Sequence, residues 1–124
     1  MGTLVIGRKE IPVAWDVEEA TLEESPGWMP DSALPGNDGM AVILGHRNRK
    51  HLRPLKDVVI GDSIVFRYLD GREYAYTVSE IITYEDTADW RLPALDGNTL
   101  VLVTCWPFRY SGAAPGKCVV VGQR

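Results

Sequence analysis

The sequence predicts a mostly β domain whose short strands wrap into a closed or nearly closed barrel, with one or two short helices. Three observations lead there. Seven or eight runs rich in Val, Ile, Leu, Thr and Tyr are separated by clusters of Gly, Pro, Asn and Asp. Only one segment carries a clear helical pattern. Two of the β-rich runs flank Asp70-Gly71, a dipeptide suited to the positive φ angles of a tight hairpin turn. Closure is expected because an open sheet of short strands exposes two edges, and a barrel removes them.

The elements follow in order. "TLVIG" (3–7) and "EIPVAW" (10–15) read as short strands. "DVEEATLEES" (16–25) reads as a helix, with Asp16 as N-cap, Glu19 at the capping-box position and carboxylates early, where the helix dipole favours them. Pro26-Gly27 ends it, and residues 26–39 form a long Pro- and Gly-rich loop. "MAVILGH" (40–46) is a continuous apolar run, as a fully buried strand requires. Residues 47–62 are polar and irregular, anchored by Leu52, Leu55 and Val58. "SIVFRYL" (63–69) and "REYAYTVSEIITY" (72–84) make the hairpin around Asp70-Gly71. After a connection over 85–98, "TLVLVTC" (99–105) is a strand, 106–116 a loop and "KCVVVGQ" (117–123) the last strand.

Composition narrows the function. The 124 residues suit one domain with one core, with 45% hydrophobic and 24% charged residues. A net charge of −4 and the lack of a dominant basic run make a nucleic-acid reader a poor fit. The longest apolar runs, "MAVIL" and "LVLV", fall far short of the roughly 18–20 residues that span a bilayer. No signal peptide follows Met1. Two cysteines are too few for a disulfide-stapled scaffold of this size.

Cys105 and His46 each stand at the C-terminal end of an apolar strand. If the strands are neighbours, thiol and imidazole meet at one rim. A free thiol, with a pKa of about 8.5, is mostly protonated at neutral pH, and a nearby cation favours the nucleophilic thiolate. Acyl transfer also needs donors facing the carbonyl oxygen that becomes negative. The competing reading of the residue types makes Cys105 a packed strand residue and His46 a hydrogen-bonded turn histidine.

The segments "LGHRN", "LVTCWPF" and "APGKCVVV", in this order, resemble the sortase family of bacterial cysteine transpeptidases. "EIPVAW", the acidic helix, "PGWMPDSALPGNDGMAVILGHRN" and "LRPLKDVVIGDSIVFR" extend the resemblance along nearly the whole chain. Gly45-His46-Arg47 matches the family's Gly-His-Arg pattern. Leu102-Val103-Thr104-Cys105 matches its Thr-Leu-x-Thr-Cys pattern, apart from Val101 in the first position. The aromatic-Pro-Phe after the cysteine and the "APGK" stretch look most like class D. The resemblance implies a single catalytic domain over 1–124 with an eight-stranded β-barrel. It implies cleavage of an LPxTG-like sorting signal after its threonine through a thioester on Cys105. It further implies transfer to an amine, such as a peptidoglycan precursor or a pilin lysine, at the bacterial cell surface. Any N-terminal membrane anchor would lie outside this chain. His46 is the expected general acid/base, and Thr104 is expected to border the substrate groove.

One position departs from the family. The third catalytic residue is an arginine at the start of the last strand, and here Ala114-Pro115-Gly116 is followed by Lys117. Lysine keeps the charge but loses the planar fork. Strand alternation should aim Lys117 at the arginine's face, and Arg109 is the other candidate. The alternative function is a peptide-binding module on the same barrel, catalytically weakened by that exchange.

The remaining features read as structure. Cys118 should point away from Lys117 and pack. His46, His51 and the two cysteines lack a short Cys-x2–4-Cys knuckle, so zinc is not expected, and His51 is expected on a surface loop. The acidic stretch over 16–24 lacks the alternating ligands of a calcium loop and reads as a solvated helix face, so no cofactor is expected. Among the tryptophans, Trp106 is placed near substrate, and Trp28 and Trp90 in packing. Leu44 and Val103 are expected in the core beside the site.

Overall fold

The computed structural model describes residues 1–46, 51–93, 97–106 (of Trp106 the backbone alone) and 115–124. Eight strands form one sheet: β1 Gly2–Ile6, β2 Lys9–Val13, β3 Gly27–Trp28, β4 Gly39–Leu44, β5 Ser63–Tyr68, β6 Glu73–Tyr84, β7 Asn98–Trp106 and β8 Gly116–Gln123. Their spatial order is β2-β1-β5-β6-β8-β7-β4-β3. The two ends meet at a parallel bridge between Ala14 and Gly27. There Ala14 N–H donates to Pro26 O and Trp28 N–H to Ala14 O, both at 2.9 Å. The sheet is thereby a nearly closed barrel, as the short strands and the edge argument predict.

All the strand pairs are antiparallel except β4 and β7, which run parallel with Leu44 opposite Val103. The parallel pair explains why these runs are continuously apolar. Ala41 and Ile43 of β4, Leu100 and Leu102 of β7, and Cys118 and Val120 of β8 face the barrel interior. Val42, Val101, Val103, Val119 and Val121 face outward under a second apolar layer that includes Leu44, Tyr84, Trp90 and Leu92. Strands covered on both faces carry apolar residues at every position rather than every second one.

Three local expectations are corrected. The helix, α1, covers Glu19–Glu24 with Glu18 at its N-cap and no side-chain cap. Asp16 instead turns its carboxylate onto Glu18 N–H at 3.2 Å, an Asx-type turn ahead of the helix. At the hairpin only Gly71 has positive φ (95°). Gly71 N–H donates to Tyr68 O, and Asp70 Oδ1 accepts from Arg72 N–H at 3.0 Å. The chain thus uses a three-residue loop with one left-handed glycine instead of a two-residue turn. The polar stretch after β4 contains a 3₁₀ turn, Arg53–Asp57, with Pro54 near its start and Leu55 buried. Together with α1, it makes up the one or two short helices expected.

Candidate active site

β4 and β7 run parallel, so His46 and Cys105, each two residues past the last pair Leu44–Val103, lie toward the same end of the sheet. Past the last ladder pair, Leu44 with Val103, Gly45 N–H still donates to Val103 O at 3.0 Å. Residues facing one another across a parallel ladder share a side of the sheet, and side chains alternate along each strand. Val42 and Leu44 therefore follow one side of β4, and Val101, Val103 and Cys105 the same side of β7, with His46 two residues past the end of β4. That is the outer side, where Val42, Val101 and Val103 pack. Lys117 is the direct cross-strand partner of Cys105, since β7 and β8 pair Cys105 with Lys117. Cys105 and Lys117 thus stand side by side on adjacent strands, at the end of the sheet where His46 follows β4.

The polar contact between Cys105 and Lys117 is direct. Lys117 Nζ donates to Cys105 Sγ at 3.7 Å, with both side chains partly buried. The same ammonium lies 5.9 Å from the centroid of the Trp90 ring, within the range of a cation–π contact. Trp90 itself packs on the outer apolar layer with Leu92. It belongs to packing, as expected, and also borders the cation. Tyr84 is the cross-strand partner of Lys117 on its other side. His46 is exposed.

Gly45 is needed for a steric reason. A Cβ there would come within 2.9 Å of Leu52 Cγ and 3.2 Å of Pro26 Cβ. Leu52 is fully buried in the interior core, and its N–H donates to His46 O at 2.9 Å.

His51 corrects the sequence reading. It is fully buried, not a surface residue. Its Nδ1 accepts from His46 N–H at 3.5 Å, and the two rings meet edge-on with centroids 5.1 Å apart. The available signal was that His51 lies directly before the apolar anchor Leu52, which draws its neighbour inward.

Thr104 is also corrected in part. Opposite Cys118 on β8 and 1% exposed, its side chain points into the barrel, so only its backbone is left to border a groove on the Cys105 face. Its Oγ1 has no hydrogen-bond partner among the described residues. Trp106 ends β7 opposite Gly116, and the expectation for its side chain lies outside the described residues, as does Arg109. Cys118 is buried in the interior layer, on the opposite face from Cys105. Glu18, Glu19, Glu23 and Glu24 are exposed, a solvated face.

Burial pushes the Cys118 thiol up to about 11. At pH 8 it is therefore protonated as well as inaccessible. Iodoacetamide at that pH is expected to modify Cys105 alone in the native protein and both thiols in denaturant, read by peptide mapping. Modification of native Cys118 at a comparable rate would contradict this burial.

The family model for the Sortase domain matches residues 6–124. The chain is 30% identical over 117 residues to Sortase D of Bacillus subtilis (strain 168), covering 93% of this chain and 58% of that protein. The crystal structure of Streptococcus pneumoniae Sortase C superposes with a TM-score of 0.84 at 25% identity, over 98% of this chain and 66% of that one. Sortase C1 from Streptococcus agalactiae gives 0.81 at 28% identity, over 100% and 66%. The chain thus spans less than two thirds of the length of these relatives. No helix among the described residues is long and apolar enough to cross a membrane. With the domain match over residues 6–124, the Sortase D relative and the shared eight-stranded barrel, the chain belongs to the sortase family of cysteine transpeptidases.

Proposed function

We propose that residues 1–124 form a single catalytic domain that cleaves an LPxTG-like sorting signal and transfers the acyl fragment to an amine at the bacterial cell surface. The observation that carries this reading is the 3.7 Å contact between Lys117 Nζ and Cys105 Sγ, at the end of the sheet where His46 follows the parallel neighbour strand β4. An ammonium held at the sulfur and an exposed imidazole at the same end of the sheet are the groups that thiol attack and proton transfer to and from an amine require.

Cys105 Sγ bonds to the carbonyl carbon of the motif's threonine as its thiol proton passes to His46. His46 gives a proton to the departing amine as the C–N bond breaks, leaving a thioester. An incoming amine attacks that carbonyl carbon, His46 accepts its proton, and the cysteine sulfur leaves. In both steps the carbonyl oxygen passes through a negative state that Lys117 steadies. Lys117 thereby takes the part that the family gives to arginine.

The lysine is also the observation that favours the second reading, a weakened peptide-binding module. One assay separates the two. A peptide library carrying LPxTG-like motifs is incubated with the protein and a triglycine acceptor, and the products are read by mass spectrometry. Transfer products that share a motif are expected. Binding of the motif without any cleavage would leave the module reading.

A further inference from the structure

The cation beside Cys105 is a lysine, and a lysine has to be held in place by its surroundings. Its ammonium is a point charge on a flexible four-carbon stem, without the rigid planar fork of a guanidinium. Among the described residues Lys117 forms no ion pair with a carboxylate. Its Nζ meets Cys105 Sγ at 3.7 Å and stands over the Trp90 ring, 5.9 Å from the centroid.

The backbone carries Trp90 to that position. A Cβ on Gly116 would run into Tyr84 O and come within 3.2 Å of Glu85 C, so glycine lets the end of β6 close onto the start of β8. Just beyond, Thr87 N–H donates to Pro115 O at 2.8 Å, which ties the β6–β7 connection to the residue preceding β8. Asp86 then closes a turn: its Oδ1 accepts Ala88 N–H at 2.8 Å, and its carbonyl accepts Asp89 N–H at 3.0 Å. Trp90 follows directly and packs in the outer apolar layer with Tyr84 and Leu92. Both Trp90 and Lys117 are half-buried, whereas Glu85, Asp86 and Asp89 are exposed. A ring serves this ammonium better than a carboxylate would. An aspartate or glutamate in its place would cancel the charge and compete with the sulfur for the N–H donors. The face of an indole attracts a cation through its quadrupole and carries no net charge. The ammonium keeps its charge and its donors for the sulfur and for the carbonyl oxygen of the reaction.

We propose that Trp90 is a positioning residue, whose ring holds the Lys117 ammonium against Cys105 Sγ and so makes up for the lysine's flexible stem. The inference rests on the part given to Lys117 in the proposed function.

Single-turnover acylation by one sorting-motif peptide is measured for Trp90→Phe and Trp90→Leu, each with Lys117 and with Lys117→Met. With lysine present, Trp90→Leu is expected to lower the maximal rate about five- to thirtyfold, as loss of a partly desolvated cation–π contact would, and to leave the half-saturating peptide concentration within about twofold. Trp90→Phe should recover part of that loss, because its ring attracts a cation less strongly. With Lys117→Met, Trp90→Leu should change the rate by less than about twofold. No loss with lysine present, equal losses in both backgrounds, or a loss confined to peptide affinity would overturn the proposal. Fluorinated tryptophans placed at position 90 alone keep the ring's shape and draw negative charge from its face. The rate should fall with each added fluorine, and a flat series would overturn the proposal. NMR gives a reading that needs no peptide. The Lys117 Hε protons are expected upfield of those of the other lysines, with an NOE to Cys105 Hβ, and both signals should weaken in Trp90→Leu. An undiminished NOE in that variant would mean that the ammonium keeps its place without the ring. Failure of any motif peptide to acylate Cys105, or a Lys117→Met rate equal to that of the natural chain, would instead strike the reading of the site, and the NMR comparison still decides whether Trp90 places the ammonium.

Discussion

Lys117→Met is expected to slow thioester formation by about 10²–10³-fold, the usual cost of removing one donor that stabilises a developing oxyanion. Methionine matches lysine in length and can still lie against Trp90, so the apolar packing of the outer layer survives. The cation at 3.7 Å from Cys105 Sγ does not. Lys117→Arg should recover the lost activity and is expected to raise the rate above that of the natural chain, because the guanidinium can grip a peptide carbonyl and the oxyanion together. The measurement is single-turnover acylation with one sorting-motif peptide across the three proteins. A Lys117→Met rate within a few-fold of the natural chain would move the role to another cation, with Arg109 the first to examine.

The second large effect concerns His46. His46→Ala should lower kcat/KM on an amide substrate by about 10²–10⁴-fold, the range general acid–base catalysis spans. An amine cannot leave as an anion, so C–N cleavage without a proton donor stalls. An activated ester of the same motif peptide has a leaving group that departs unprotonated. For that substrate, acylation of His46→Ala should lose far less than for the amide. An equal loss on both substrates would mean that His46 holds the loop in place instead of moving protons. His51 behind it, and Leu52 N–H on its carbonyl, are the groups that would then matter.

Much of this site could be read from the chain because its strands are buried on both faces. The unbroken apolar runs before His46 and Cys105 mark the central strands, and alternation from Cys118 turns Lys117 toward the sulfur. The same alternation, applied one residue earlier, takes Thr104 into the barrel, where the family likeness alone had set it at the groove. What stayed hidden depended on backbone pairing or on a single neighbour. β3 is two residues long and is held by hydrogen bonds from Ala14 and β4, so it leaves no periodic pattern in a Pro- and Gly-rich loop. Asp16 has the side chain of an N-cap, but its carboxylate is spent on Glu18 N–H, and the helix starts later. His51 follows a run of polar and basic residues, and only the packing of Leu52 under Gly45 carries it inside. The contact of Trp90 with Lys117 crosses from the β6–β7 connection to β8, a distance that no local signal spans.

The most direct measurement is the intact mass of the protein after incubation with a sorting-motif peptide and no amine acceptor. An added mass equal to the acyl fragment ending at the motif's threonine is expected. Peptide mapping should locate it on Cys105, and Cys105→Ala should lack it. Peptide cleavage without such an adduct, or with the adduct on any other residue, would contradict the alignment of His46, Cys105 and Lys117 as the working unit of this chain.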